Sequence, residues 1–346
     1  MFYDKKYINS YLDALEYEIN SKYNNEEVST IYIGGGTPSV LSLDELNRLF
    51  DIIKVFKLAK DYEFTIEVNV NDINKEKLEL FKKNNINRIS IGVETINDKF
   101  LRFLNRRHTK EEIINNINLV KEYFINFNID LMYAFPGEEL DDVLNDLDFV
   151  ISLNPKHISI YSLIIEEHTK IFIDKVKPLD EELEASMYYN IISKLKDNGY
   201  NHYENSNFAK SSFESKHNLV YWNNKEYYGF GLGASGFVDN VRYTNTRSIN
   251  KYIDHKFISE SEEMNDSINK ENELIFGLRK IDGISKKEFY SKYKCDIRDA
   301  FEIDSLIKQK LLIENSDRIY IPEDKLYISN SILVSFIGGC KNERER

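Results

Sequence analysis

Cysteine is the scarcest chemistry in this 346-residue chain: there are two, Cys295 and Cys340, both near the C-terminus. Two cysteines so placed exclude a disulfide framework and any local CxxC-type metal knuckle. Long apolar runs are missing as well. None approaches the roughly 20 residues of a bilayer-spanning helix, and the opening "MFYDKKYINS" has no apolar signal-peptide core. Basic surplus is also absent: 46 Lys and Arg stand against 58 Asp and Glu, a net charge of −12 with the two signs interspersed. That balance argues against nucleic acid or an anionic membrane surface as a partner. Together these absences predict a reduced, cytoplasmic protein. What is plentiful is apolar and aromatic. Hydrophobic residues make up 42%, with 23 Tyr and 21 Phe, enough for a sizeable core and too much for a disordered chain.

The apolar residues come in an alternating order. "STIYIGGG" reads as a strand and "SLDELNRLFDIIKVF" as the helix after it. "YEFTIEVNV" precedes the helical "NKEKLELFKKNN", and "NRISIGVET" precedes "DKFLRFL" and "KEEIINNINLVKEYF". "NIDLMYAFPG" and "HISIYSL" each lead into a further helix, and a last short strand lies in "YNHYENSNFA". Five or six strand-then-helix units, roughly 30 to 40 residues apart, predict parallel strands with crossover helices, either an α/β barrel or a doubly wound sheet. The opening helix "YINSYLDALEYEI" has no strand before it. Past residue 240 three short amphipathic helices, a small hairpin and a closing helix follow, as in a compact winged-helix-like domain. The polar stretch "ISESEEMNDS" suggests a boundary, giving domains at 1–256 and 267–336.

In parallel α/β folds, ligands bind at the carboxyl ends of the strands. Glycines 34–36 sit at one such end, Glu67 and Glu94 at two others, and Asp130 lies just ahead of the Pro136–Gly137 turn. Glu204 and Asn207 close the sixth candidate strand. Taken singly, three glycines after a strand are more often a tight turn, and a lone strand-end Glu is more often a solvated rim residue. On consecutive strand ends they suit a zwitterion, with backbone N–H groups for its carboxylate and Glu67 for its ammonium. No Gly-Lys-Ser/Thr follows the glycines, and the spacing is not GxGxxG, so neither a Walker loop nor a dinucleotide fingerprint is present.

Nine blocks stand in a familiar order: "IYIGGGTPSVLSLDEL", "TIEVNV", "RISIGVET", "LNRRHT", "IDLMYAFPGE", "HISIYSLIIEEHT", "GYNHYENSNFA", "SKHNLVYWNNKEYYGFGLGASGF" and "FGLRKIDGIS". Over almost the whole chain they resemble the radical S-adenosylmethionine proteins related to oxygen-independent coproporphyrinogen III oxidase. "HNLVYW" is similar to the HNxxYW signature of the heme-chaperone (HemW-type) branch. The resemblance implies an incomplete (β/α)6 TIM-like barrel lacking its first strand, with S-adenosylmethionine at its mouth and a small, mainly helical C-terminal domain. It implies cofactor contacts from Gly35, Gly36 and Thr37 to the methionine end, from Glu67 to the amino group, and from Arg106 and Asp130. Glu94 stands where the family usually carries Gln, which keeps an acceptor, removes a donor and adds charge.

The family's CxxxCxxC motif, which holds a [4Fe–4S] cluster through thiolates on the loop after the first barrel strand, has no counterpart among these residues. The expectation is a truncated record or misplaced start rather than a cluster-less relative, with the cluster bound only by a full-length form and no metal ligand in this chain.

Among the histidines, His217 is either a loop residue bonded to backbone or, as the resemblance implies, a heme contact together with Asn218, Tyr221 and Trp222. His202 is a second candidate that orients the site, and His108 is read as structural. His157 and His168 carry no evident chemistry. The function implied is heme binding and transfer to acceptor proteins, membrane-associated ones among them. The other reading is radical decarboxylation of coproporphyrinogen III in porphyrin biosynthesis.

Overall fold

Alternation along the strands decides what each face of the sheet buries. In "EFTIEVN" and "RISIGVE" every second residue is Ile, Val or Phe, and the residues between are polar or Gly. Successive strand side chains point to opposite faces, so one face becomes apolar and the other polar. The computed structural model describes residues 5–165, 167, 170–173 and 175–341. Two compact units result: Met1–Val28, Asp44–Ala59 and Lys216–Arg346 form one, and Ser29–Leu43 and Lys60–Ser215 the other.

The second unit carries a seven-stranded sheet. Its strands are β1 (Glu27–Ile33), β2 (Lys57–Asn69), β3 (Arg88–Glu94), β4 (Phe127–Tyr133), β5 (His157–Ser162), β6 (Asn201–Glu204) and β7 (Asn207–Ala209), in the order β1-β2-β3-β4-β5-β7-β6. From β2 to β5 neighbouring strands are parallel, as the strand–helix alternation predicts. Helices Lys75–Lys83, Lys110–Tyr123, Leu140–Ser152 and Glu181–Asp197 make the crossovers. Their starts are set by side chains that satisfy free amides: Asn74, Thr109 (in a capping box with Glu112) and Asp180. The apolar strand face, with Ile66, Ile89, Ile91, Ile129 and Ile158 fully buried, forms the core with the inner sides of these helices. Each such side chain contributes roughly 1.5–3 kcal/mol of burial free energy.

One element departs from the sequence expectation. "YNHYENSNFA" is not a single strand but a hairpin, reversed at the polar pair Asn205–Ser206, and β7 pairs antiparallel with both β5 and β6. The sixth place in the sheet is therefore filled against the direction of β2 to β5.

In the first unit, β8 (Ser235–Val238), β9 (Val241–Asn245) and β10 (Ile258–Glu263) form an antiparallel meander. The β8–β9 turn uses Asp239 and Asn240, both at positive φ, as a two-residue hairpin requires. Glu18 of the opening helix Ile8–Lys22 is fully buried in this unit. It accepts from Gly231 N, Asn245 Nδ2 and Tyr252 Oη at 2.9, 2.7 and 2.5 Å, and pairs with Lys22 at 2.6 Å. The stretch read as a polar boundary is β10 itself. All six of its residues are exposed while its backbone pairs with β9, so a two-sided polar strand looks like a linker in sequence. Helices Asp266–Gly277 and Lys286–Tyr293 follow. A small sheet of β11 (Ile284–Ser285), β12 (Ile313–Glu314) and β13 (Arg318–Tyr320) holds a hairpin, but it joins β12 to β13. That is one strand earlier than the expected hairpin in "RIYIPEDKLYI", whose second arm, Glu323–Ile328, is a 3-10 helix. Among the described residues no helix is long and apolar enough to cross a membrane.

Candidate functional site

The polar face of the sheet is layered by strand register. Glu67, Ser90, Asn128 and His157 lie side by side on β2 to β5, and one pleat nearer the carboxyl ends lie Asn69, Gly92, Asp130 and Ser159. At that end the backbone leaves ordinary strand geometry on three strands. Gly35 has φ +78°, Glu94 +69° and Ala134 +65°. For a residue with a side chain this region costs about 1–3 kcal/mol, a strain that collects at functional sites. At Glu94 it coincides with a break in register against β4.

The glycine loop is bare for a geometric reason. A Cβ added at Gly34 would lie 2.5 Å from the Tyr32 ring and 2.6 Å from the Glu67 carboxylate. At Gly35 and Gly36 a Cβ would meet nothing within 4 Å, so the space above them is open. Glu67 is held from both sides, by the Tyr32 hydroxyl at 2.7 Å and the Gly35 amide at 3.2 Å. The loop after Thr37 is pinned by Ser39, which is fully buried. Its Oγ donates to Asp72 at 2.8 Å and accepts from the Asn69 amide at 3.1 Å, while Lys77 Nζ donates to its carbonyl at 2.5 Å. Asn69 Oδ1 in turn accepts from Arg106 at 2.6 Å, and Arg106 pairs with Glu94 at 2.7 Å. The structure thus brings together Gly35, Gly36, Thr37, Glu67, Glu94, Arg106 and Asp130 in one unit.

The electrostatics are lopsided. Burial pushes the carboxyls of Glu67 and Asp130 up, and that of Glu94 up to about 7 despite its pairing with Arg106. Asp130 adds to the rise of both glutamates. Burial and the Glu67 charge likewise raise the Tyr32 phenol. Three crowded carboxylates favour an incoming cation, because a positive charge restores the ionised forms that burial disfavours.

The tryptophan-bearing helix Lys216–Trp222 belongs to the first unit and buries none of its residues fully. His217 Nε2 lies 2.7 Å from the Tyr221 hydroxyl, one turn on, and the Tyr221 ring packs edge-on against Tyr227 with centroids 4.6 Å apart. The Trp222 indole N–H is buried without an acceptor. Asn218 lies on the same helix. Among the remaining histidines, His108 is buried with Nε2 3.1 Å from the Val93 carbonyl. His202 stacks on Phe208 across the β6–β7 hairpin, at 4.3 Å between centroids. His168 lies outside the described residues. His157, read as having no chemistry, is fully buried in a polar network with Asn128 and Tyr203. The signal that could have found it was the period-2 alternation in "FNIDLMY" and "HISIYS", which turns His157 to the same face as Asn128 and Asp130.

A [4Fe–4S] cluster does not fit the residues of this chain. Both cysteines lie in the first unit at positions 295 and 340, and among the described residues no group of three His, Cys, Asp or Glu is placed to hold a metal.

Residues 3–150 match the profile of the radical SAM superfamily. Over 343 residues the chain is 38% identical to the heme chaperone HemW of Lactococcus lactis, spanning 95% of this chain and 90% of that protein. It is 36% identical to heme chaperone HemW of Bacillus subtilis, over 97% of this chain and 93% of the relative. The fold resembles coproporphyrinogen III oxidase (HemN) from Escherichia coli, a radical SAM enzyme, with a TM-score of 0.83 at 21% identity over 97% of this chain and 85% of that one. The chain belongs to the HemW family of the radical SAM superfamily.

Proposed function

We propose that this protein is a cytoplasmic heme chaperone that binds heme, hands it to acceptor proteins and seats S-adenosylmethionine at the mouth of its barrel. The observation that carries the cofactor site is the set of desolvated carboxylates, Glu67, Glu94 and Asp130, around a glycine loop with open space above it. S-adenosylmethionine carries a sulfonium and an ammonium, so this negative excess matches its charge. The bare backbone at Gly36 and the Thr37 amide after it suit the cofactor's carboxylate. Glu67, oriented by Tyr32 and Gly35, would take the ammonium. Arg106, tied to Asn69 and Glu94, fixes the far rim. When bound, the cofactor is a source of a 5′-deoxyadenosyl group. The unit that forms the mouth contains no cysteine, so its residues bind and orient the cofactor and supply no thiolate for a cluster.

For heme, His217 offers an imidazole beside Tyr221, and the unpartnered Trp222 N–H offers a donor to a propionate or other acceptor. The relatives named above are heme chaperones, and their span over nearly the whole chain supports the same work here. The test is a Soret titration followed by transfer to an apo-heme protein. A heme-bound spectrum whose Soret signal passes to the acceptor is expected, and no spectral change on adding heme sinks the reading. His217→Ala should retain heme several-fold more weakly with unchanged affinity for S-adenosylmethionine. The decarboxylase reading is favoured by the HemN-like fold alone. Anaerobic conversion of coproporphyrinogen III by a longer form that carries the cluster cysteines and is reconstituted with the cluster would restore it.

A further inference from the structure

Below the mouth, the polar face holds buried groups that cofactor contact does not use. Asn128 and His157 are 1% and 0% exposed. The Asn128 side-chain nitrogen lies 2.7 Å from Asp130 Oδ1, 2.7 Å from Ser90 Oγ and 2.9 Å from Ser159 Oγ. Its oxygen lies 2.7 Å from His157 Nδ1. His157 Nε2 lies 2.8 Å from the Tyr203 hydroxyl, and that hydroxyl oxygen accepts the Ser215 amide at 3.2 Å. Ser215 is itself buried and immediately precedes Lys216 in the chain.

Counting hydrogens fixes the direction of every bond in this series. An ionised Asp130 can only accept. Asn128 must then turn its NH2 toward Asp130, which leaves its oxygen facing His157. His157 must therefore carry its proton on Nδ1, so Nε2 presents a lone pair. Tyr203 must donate to that lone pair, and its oxygen is left for the Ser215 N–H. With a neutral Asp130 the opposite series becomes available: Asn128 turned over, the His157 proton on Nε2, and Tyr203 accepting from it. The same heavy atoms serve both series, and in the second the Tyr203 hydrogen must turn to an acceptor outside them.

We propose that His157 and Tyr203 are positioning residues for the cation site: the charge on Asp130 sets, through Asn128, which His157 nitrogen is protonated and whether Tyr203 donates or accepts. This rests on the reading that a cationic ligand sits at the mouth. The charge on Asp130 is open to such control. Burial raises its carboxyl, while Ser159, Ser90, Asn128 and Arg88 lower it. The charged and titratable groups that face it are Tyr32 on β1, Glu67 on β2, Arg88 and Glu94 on β3 and Tyr161 on β5. His157 takes part as a neutral ring, since burial and Arg88 hold its pKa well below the usual imidazole range.

Nitrogen-15 spectra of the imidazole test this directly, because the two tautomers give different Nδ1 and Nε2 signals. Wild type with saturating S-adenosylmethionine should show His157 protonated on Nδ1. Asp130→Asn, which removes the charge without any ligand, should move His157 to Nε2–H or to a mixture. Tyr203→Phe should relax the tautomer preference, speed exchange of the Ser215 amide about tenfold, and weaken S-adenosylmethionine binding about three- to tenfold. One fixed tautomer in wild type, Asp130→Asn and Tyr203→Phe alike overturns the proposal. Absence of binding heat with S-adenosylmethionine counts against the cofactor reading instead, while the ligand-free Asp130→Asn comparison still decides the network.

Discussion

At the scale of single residues, Glu94 concentrates the chemistry of the mouth: positive φ, an ion pair with Arg106 and a carboxyl pushed up to about 7. Its folded pKa lies above the unfolded value near 4.5, so its protonation stabilises the fold fully below pH 4.5. That contribution is lost as pH rises from 4.5 through 7, and the loss is on the order of 3 kcal/mol. Glu94→Gln imitates the neutral form. Its melting temperature should match wild type at pH 5 and exceed it by several degrees at pH 8, as differential scanning calorimetry would show. Equal melting temperatures at both pH values would contradict the burial of this charge. The glycines separate in a similar way. Gly34→Ala should distort the Tyr32–Glu67 pair, lowering the melting temperature and S-adenosylmethionine affinity together. Gly36→Ala, with nothing within 4 Å of the added methyl, should keep the melting temperature and lose roughly tenfold in affinity by isothermal titration. Glu67 and Glu94 were picked out from sequence because strand ends can be read locally, whereas Arg106, in the loop after helix Asp98–Phe103, came only with the family resemblance. Asn128 and His157, at the amino-terminal ends of β4 and β5, were not picked out, since a buried polar residue there has no meaning until register sets it beside its partners.

At the scale of elements, the strands from β2 to β5 were legible from period and length, whereas the antiparallel pieces were not. The hairpin β6–β7 is two strands of four and three residues, too short for period to register. The strand β10 is polar on both faces, so its pairing with β9 left no hydrophobic trace. A cut there has a definite consequence. Chain ending at residue 256 loses β10 and bares the ladder side of β9, and it should form oligomers in light scattering. Chain ending at Met264, which is buried and donates its amide to the Asn240 carbonyl at 2.7 Å, should stay more dispersed. Equal dispersity of the two would mean that β10 protects nothing.

At the scale of the whole molecule, the division into two units predicts where ligands act. Hydrogen exchange with S-adenosylmethionine should slow in 29–43 and 60–215, and with heme in the segment around 216–222. At a ligand concentration of 100 Kd the bound unit gains about 2.7 kcal/mol. Protection by S-adenosylmethionine confined to 216–341 would refute the assignment of the mouth. The sheet's two faces carry a consequence for descent. Odd and even positions of one strand answer to separate demands, one face to folding and the other, on the proposed reading, to ligand chemistry. Substitution at Ser90, Asn128 or Ser159 can therefore redraw what the interior recognises while Ile89, Ile129 and Ile158 keep the helices in place. A lineage with such strands can exchange its ligand over time without passing through an unfolded ancestor.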